Sequence, residues 1–129
     1  MSLPKPIQNA TQIVIHHAPF FAHLIMALEW TFSKKIETAC TDGQTVWVNR
    51  EFLEGLSRQE QAGLIAHEAM HCAFQHVKRA KKWVETDADQ RRWNVAADIV
   101  VNGAILNAGL ELPKGATSHM ELPPPALSP

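Results

Sequence analysis

From Leu64 to Val77 the chain reads LIAHEAMHCAFQHV, and this stretch constrains the fold more than any other. Apart from His67, Glu68, His71, Gln75 and His76 it is apolar almost all round a helix, and a helix apolar on most faces is a buried one. Burying ionisable side chains without partners is costly. A fold built on this helix has to supply something that satisfies His67, Glu68 and His71.

The spacing suggests what that is. Residues four apart on a helix lie one turn above each other, so the imidazoles of His67 and His71 can converge on one ion. Glu68 sits about 100° round the helix from His67, close enough to reach a water on that ion but badly placed to be a ligand. This is the pattern of a zinc hydrolase: zinc lowers the pKa of its water to about 7, and a neighbouring carboxylate acts as general base. A hydrogen-bonded structural cluster is the competing reading. Cys72 follows the second histidine but turns about 100° away from it, as a core residue does.

A second helix carries the complementary clue. From about Gln90 the string RRWNVAADIVVNGAILNAG predicts a helix ended by Gly109, after a polar connector from Thr86 to Gln90. In it Asn94, Asp98 and Asn102 recur every four residues, a polar stripe on an otherwise apolar element. A carboxylate in such a helix should be paired or metal-bound, and two His plus one carboxylate is a known zinc set. Asp98 is therefore the expected third ligand, with Asn94 and Asn102 supporting the ligands from behind. The alternative is a buried Asp held by Asn94, Asn102 or a backbone amide. His76 falls about 140° off the ligand face, and Glu85, Asp87 and Asp89 read as exposed.

Around these two helices the sequence predicts simple packing elements. Ser57 and Glu60 form a capping box that starts the HEAMH helix, and Lys78, Arg79, Lys81 and Lys82 solvate its end. Asn9 or Thr11 is expected to cap a first helix reaching about Ser33, which Pro19 threatens midway, so that two shorter helices meeting near Ala18 are equally compatible. Lys35–Thr41 and Thr45–Asn49 are β-rich runs separated by Asp42 and Gly43, a hairpin signal, with Trp47 expected to pack. The tail from Leu112 onward is proline-rich and reads as extended or disordered, which divides the chain into a domain over 1–113 and a tail over 114–129.

Composition narrows the function classes. The 129 residues are 46% hydrophobic and 19% charged, as expected for one globular domain with a core. A formal net charge of -1 gives no global attraction to nucleic acid or anionic membrane. Two cysteines without a CxxC pair, and a start lacking a cationic and apolar leader, fit a reducing cytoplasm. The apolar stretch from Ile13 to Phe32 is interrupted by His16, His17, Pro19, His23 and Glu29, against a membrane span.

Several strings taken together carry a family resemblance: HEAMHCAFQH with Arg79 after it, WNVAAD at Trp93–Asp98 with Asn102 beyond, and TDG at Thr41–Gly43 before Asn49 and Phe52. Over roughly residues 10 to 113 the chain resembles the putative metallopeptidase domain of uncharacterised bacterial and phage proteins, whose fuller members carry a von Willebrand factor A-like domain after it. The resemblance implies an α+β, zincin-like fold, with His67 and His71 as metal ligands, Glu68 as catalytic acid/base and Asp98 as third ligand. It also puts Thr45, Val46 and Trp47 on an edge strand that holds an extended peptide by main-chain hydrogen bonds; the alternative is that the strand is only half of a two-stranded cover on the core. The implied activity is zinc-dependent hydrolysis of a peptide or protein substrate. A metal-binding but catalytically silent module engaging a protein partner is the alternative, because the chain has no Tyr to stabilise an oxyanion. His16, His17, His23, Arg91 or Arg92 would have to take that role.

Overall fold

A computed structural model of the chain describes residues 3–74 and 76–113, without the side chains of 76–78. The predicted tail over 114–129 lies outside the described residues.

Proline sets the first two helices. Helix α1 runs Lys5–His17 from Pro4, with Pro6 in its first turn, where a missing N–H costs nothing. Pro19 opens α2 (Pro19–Met26), and Ala18 before it is extended (φ -152°, ψ 81°) because the proline ring excludes the helical region for its predecessor. The chain thus breaks at Ala18 into two helices. Asn9 and Thr11 cap nothing: both lie inside α1, and the buried Thr11 hydroxyl donates to the Ile7 carbonyl at 2.7 Å.

The end of the expected first helix is a strand. Glu29–Phe32 (β1) pairs in parallel with Thr45–Val48 (β3), and Ala39–Thr41 (β2) pairs with β3 antiparallel, giving the order β1-β3-β2. The hairpin between β2 and β3 is as the sequence predicts. Asp42 Oδ1 accepts from the amides of Gln44 and Thr45, both at 2.9 Å, and Gly43 takes the positive φ of 103° that its turn demands. Val46 and Val48 join the main core while Trp47 faces the other way, against Ile36 and Cys40.

Asn49 caps the short α3 (Arg50–Glu54), and the predicted capping box starts α4 (Arg58–Ala73), each side of it hydrogen-bonded. Ten consecutive residues of α4, Ala62 to His71, are buried, so this helix is the axis of the core, packed by α1, α2, α6 and β2. It ends sooner than its apolar run suggests: α5 (His76–Trp83) is a separate helix. Helix α6 spans Asp87–Asn107, and the expected connector is in fact its start, with Thr86 as cap accepting from the Asp89 amide at 3.1 Å. Asp87 and Asp89 are in its first turn, where acids oppose the positive end of the helix dipole.

The end of α6 follows the glycine signal. Gly109 has φ 83°, and the amides of Leu110 and Gly109 return to the carbonyls of Ile105 and Leu106 at 3.2 and 3.0 Å, which steers Leu110 into the core beside Ile105. The chain then crosses α4 so closely at Gly63 that an added Cβ would overlap the Glu111 carbonyl. The architecture is mixed helix and small sheet, an α+β arrangement, and no helix among the described residues is long and apolar enough to cross a membrane.

Candidate metal centre

Helix α6 buries polar groups beside its apolar core residues Ala97, Val101 and Ile105. Asn94 and Asp98, at 5% and 0% exposure, face the core, while Val95, Ile99, Val100 and Leu106 face solvent. Burying the polar stripe of a helix and exposing much of its apolar surface is unfavourable unless the buried groups gain something specific. What Asp98 gains is α4. Its Oδ1 lies 3.1 Å from His67 Nε2 and 2.9 Å from His71 Nε2, and the two Nε2 atoms are 2.9 Å apart. The imidazoles meet edge to face, with ring centroids 4.6 Å apart.

These residues come together because each helix contributes one face. On α4 the four-residue spacing stacks His67 over His71; His71 is fully buried, and His67 keeps 8% exposure. On α6 the same spacing would stack Asn94, Asp98 and Asn102, and Asp98 is the one opposite the two rings. Gln90 donates to Asn94 Oδ1 at 2.7 Å, so Asn94 is held within its own helix. Asn102 lies near His67 and favours its charged form.

The electrostatics are those of a tight acid–base pair. Burial disfavours a charged His67, but the hydrogen bond it donates to Asp98 and the charges of Glu68 and Asp98 outweigh it, so the imidazole is held above its usual 6.5. Burial also opposes ionisation of Asp98, and the two histidines outweigh that, holding the carboxyl below its usual 3.8. Glu68 is 2% exposed and next to His67 in the chain.

Does a metal fit these residues? The three candidate ligand atoms all lie within 4.8 Å of one another. Ligands at zinc distances in a tetrahedral site stand about 3.3 Å apart, so the observed 2.9 to 3.1 Å asks for outward movements of only tenths of an ångström. Among the described residues Asp98 Oδ2 is buried and lacks a hydrogen-bond partner, as does Asn102 Oδ1. A buried carboxylate oxygen with an unused lone pair, beside two imidazoles sharing one small space, is a donor set suited to a cation.

Other expected roles fall differently. Thr45, Val46 and Trp47 lie on the central strand, and an extended peptide cannot add to β3 because β1 and β2 already take its two hydrogen-bonding edges. That substrate assignment is corrected, and Trp47 is a packing residue at 8% exposure. Of the basic residues considered for an oxyanion, His16, His17 and His23 are exposed on α1 and α2, and Arg92 turns to Asp89 at 3.5 Å. Arg91 lies two turns before Asp98 on the same side of α6. His76 has its side chain outside the described residues.

Two features were not foreseen from the sequence. Thr41 Oγ1 lies 3.2 Å from Cys72 Sγ, which ties β2 to the end of α4, and burial pushes the Cys72 thiol up to about 11. The close crossing at Gly63 had a signal, a lone glycine in a helical run, whose usual meaning is a near backbone.

No curated protein and no solved structure matches the chain. A family model does, and it fits the buried donor set: described as a putative metallopeptidase domain, it matches residues 2–124, nearly the whole length, and the chain belongs to that family.

Proposed function

We propose that this protein is a zinc-dependent peptidase of zincin-like architecture, with zinc held by His67, His71 and Asp98. The observation that carries the proposal is the convergence of those three buried donors from two helices, with Glu68 one residue round α4 from the first of them. Zinc bound there supplies Lewis-acid polarisation of a peptide carbonyl and a water acidic enough to attack near neutral pH.

The chain's own groups do the rest. Asp98 Oδ1 faces Nε2 of both rings, at 3.1 and 2.9 Å, so an ion held by these three atoms would take the place of the protons they share. Glu68 takes the proton of the attacking water at its carboxylate and returns it to the leaving amine, the role a carboxylate held in a largely buried site can fill. Asn102 lies beside His67 on the α6 side, with a buried Oδ1 that would be free to take the imidazole's second N–H. The substrate is a peptide or protein, and the working compartment is a reducing one in which Cys40 and Cys72 stay as thiols, as they are in the structure.

Metal content and proteolysis test this together. Protein purified without added zinc, or loaded and dialysed, should carry one zinc per chain, and a diverse peptide library should be cut by the wild type and not by Glu68→Gln, which keeps its zinc. Stoichiometry near zero after loading would sink the metal reading. Zinc retained with no cleavage by the wild type would favour the silent binding module, and cleavage surviving Glu68→Gln would remove Glu68 from the mechanism.

A further inference from the structure

We propose that a recess beside the metal centre receives one large apolar side chain of the substrate, with Trp93 and Val100 as its specificity-determining walls; this rests on the peptidase reading above. The recess has a volume of about 380 Å³ and is lined by Phe74, Arg79, Trp93, Ala96, Ala97 and Val100. That is at the small end of ligand pockets and suited to one side chain.

Its position follows from helix geometry. Phe74 closes α4, three residues after His71 and seven after His67, so it continues the ligand-bearing side of that helix about 4.5 Å further along the axis. On α6, Ala97 precedes Asp98 directly, and Trp93 and Val100 lie one turn before and after Ala97 on the same side. The recess therefore lies beyond the end of the ligand strip on α4 and beside the ligand strip on α6. A peptide whose carbonyl reaches the metal centre has a neighbouring side chain within reach of it.

The chemistry of the walls selects the occupant. Five of the six lining residues are apolar or aromatic, and Val100 is an unusually open wall at 52% exposure. The sixth, Arg79, reaches the Phe74 carbonyl with Nη1 at 3.4 Å, which holds a guanidinium at the mouth. Carbon walls favour Leu, Met or Phe, and the guanidinium repels Lys and Arg. Trp93 adds an aromatic face.

Binding of peptide hydroxamates to the zinc-loaded protein tests this without requiring turnover. A series bearing Ala, Leu, Phe or Lys at the side chain next to the chelating group should show Leu and Phe binding roughly tenfold or more tighter than Ala, and Lys weakest. Val100→Trp fills the recess from an exposed position and should abolish the Leu and Phe advantage while leaving zinc stoichiometry unchanged; Ala96→Leu serves if the first variant folds poorly. Equal affinities across the series, or a preference that survives both substitutions, overturn the recess assignment and leave the peptidase reading standing. Zinc-loaded protein that binds no hydroxamate of any kind has no accessible metal face, and both readings fall.

Discussion

Replacing Asp98 by alanine tests the one link that depends on both helices. If His67, His71 and Asp98 are the ligand set, the metal ties α4 to α6 across the core, and binding free energy becomes folding free energy. Structural zinc sites with four protein ligands are worth about 10 to 16 kcal/mol, hence roughly 3 kcal/mol per ligand, or about a hundredfold in affinity. For a chain of 129 residues the unfolding entropy near the midpoint is about 0.27 kcal/mol/K. Losing roughly 3 kcal/mol of linkage at fixed free zinc then lowers the melting temperature of the zinc-loaded protein by about 10 °C.

The metal-free protein should respond differently. There Asp98 contributes its hydrogen bonds to two buried rings, but removing it also removes a desolvated charge, so the two changes partly offset. The expected signature is a zinc-loaded melting curve that falls toward the metal-free one. Competition with a chromophoric chelator gives the affinity, and scanning fluorimetry with and without zinc gives the linkage. Asp89→Ala is the control: that carboxylate accepts from the Glu85 amide at the start of α6, so its loss should lower both curves alike by under about 1 kcal/mol and leave zinc affinity unchanged. Unaltered zinc affinity in Asp98→Ala would refute the three-ligand assignment and reduce Asp98 to a hydrogen-bond partner of two histidines.

Other expectations follow from the same structure. Asn102→Ala should weaken zinc by about 10- to 100-fold, more than Asn94→Ala, because Asn102 leans on His67 while Asn94 is held by Gln90; equal losses would put Asn94 at the ligands as well. Gly63→Ala should destabilise by several kcal/mol despite the roughly 1 kcal/mol that alanine gains in a helix, since the new Cβ sits 2.7 Å from the Glu111 carbonyl carbon; a stabilised variant in denaturant titration would mean that the crossing is looser than described. In the metal-free protein the raised His67 contributes stability that is complete below 6.5 and lost as pH rises through its folded value, and the lowered Asp98 contributes stability present above 3.8 and lost on acidification. Zinc requires neutral His67, so the gap between zinc-loaded and metal-free melting temperatures should widen from pH 6 to 8, and a narrowing gap contradicts the ligand role. Cys72, with its thiol pushed up to about 11, should react with iodoacetamide far more slowly than a free thiol at pH 7.5 in the folded protein, and at the ordinary rate once unfolded.

The centre of this protein was legible in the sequence because helix periodicity is local. Which residues share a side of one helix depends only on 3.6 residues per turn, so the stacking of His67 on His71 and the stripe of Asn94, Asp98 and Asn102 could be read directly, as could the capping box at Ser57 and the glycine stop at Gly109. That the stripe faces inward also had a local cue: a helix offering apolar residues nearly all round does not say which side it buries, but a buried carboxylate needs partners, and α4 offered two histidines on one side. What the sequence left undecided were non-local pairings. Glu29–Phe32 looks like the end of a helix until β3 is beside it, and β3 looks like an edge strand until β1 takes its second side. The same holds for the recess walled by Phe74, Trp93 and Val100, and for the contact of Glu111 with Gly63, whose residues lie far apart in the chain. Strand partners and helix-to-helix gaps are set by the energy of bringing distant segments together, which no short window of residues contains.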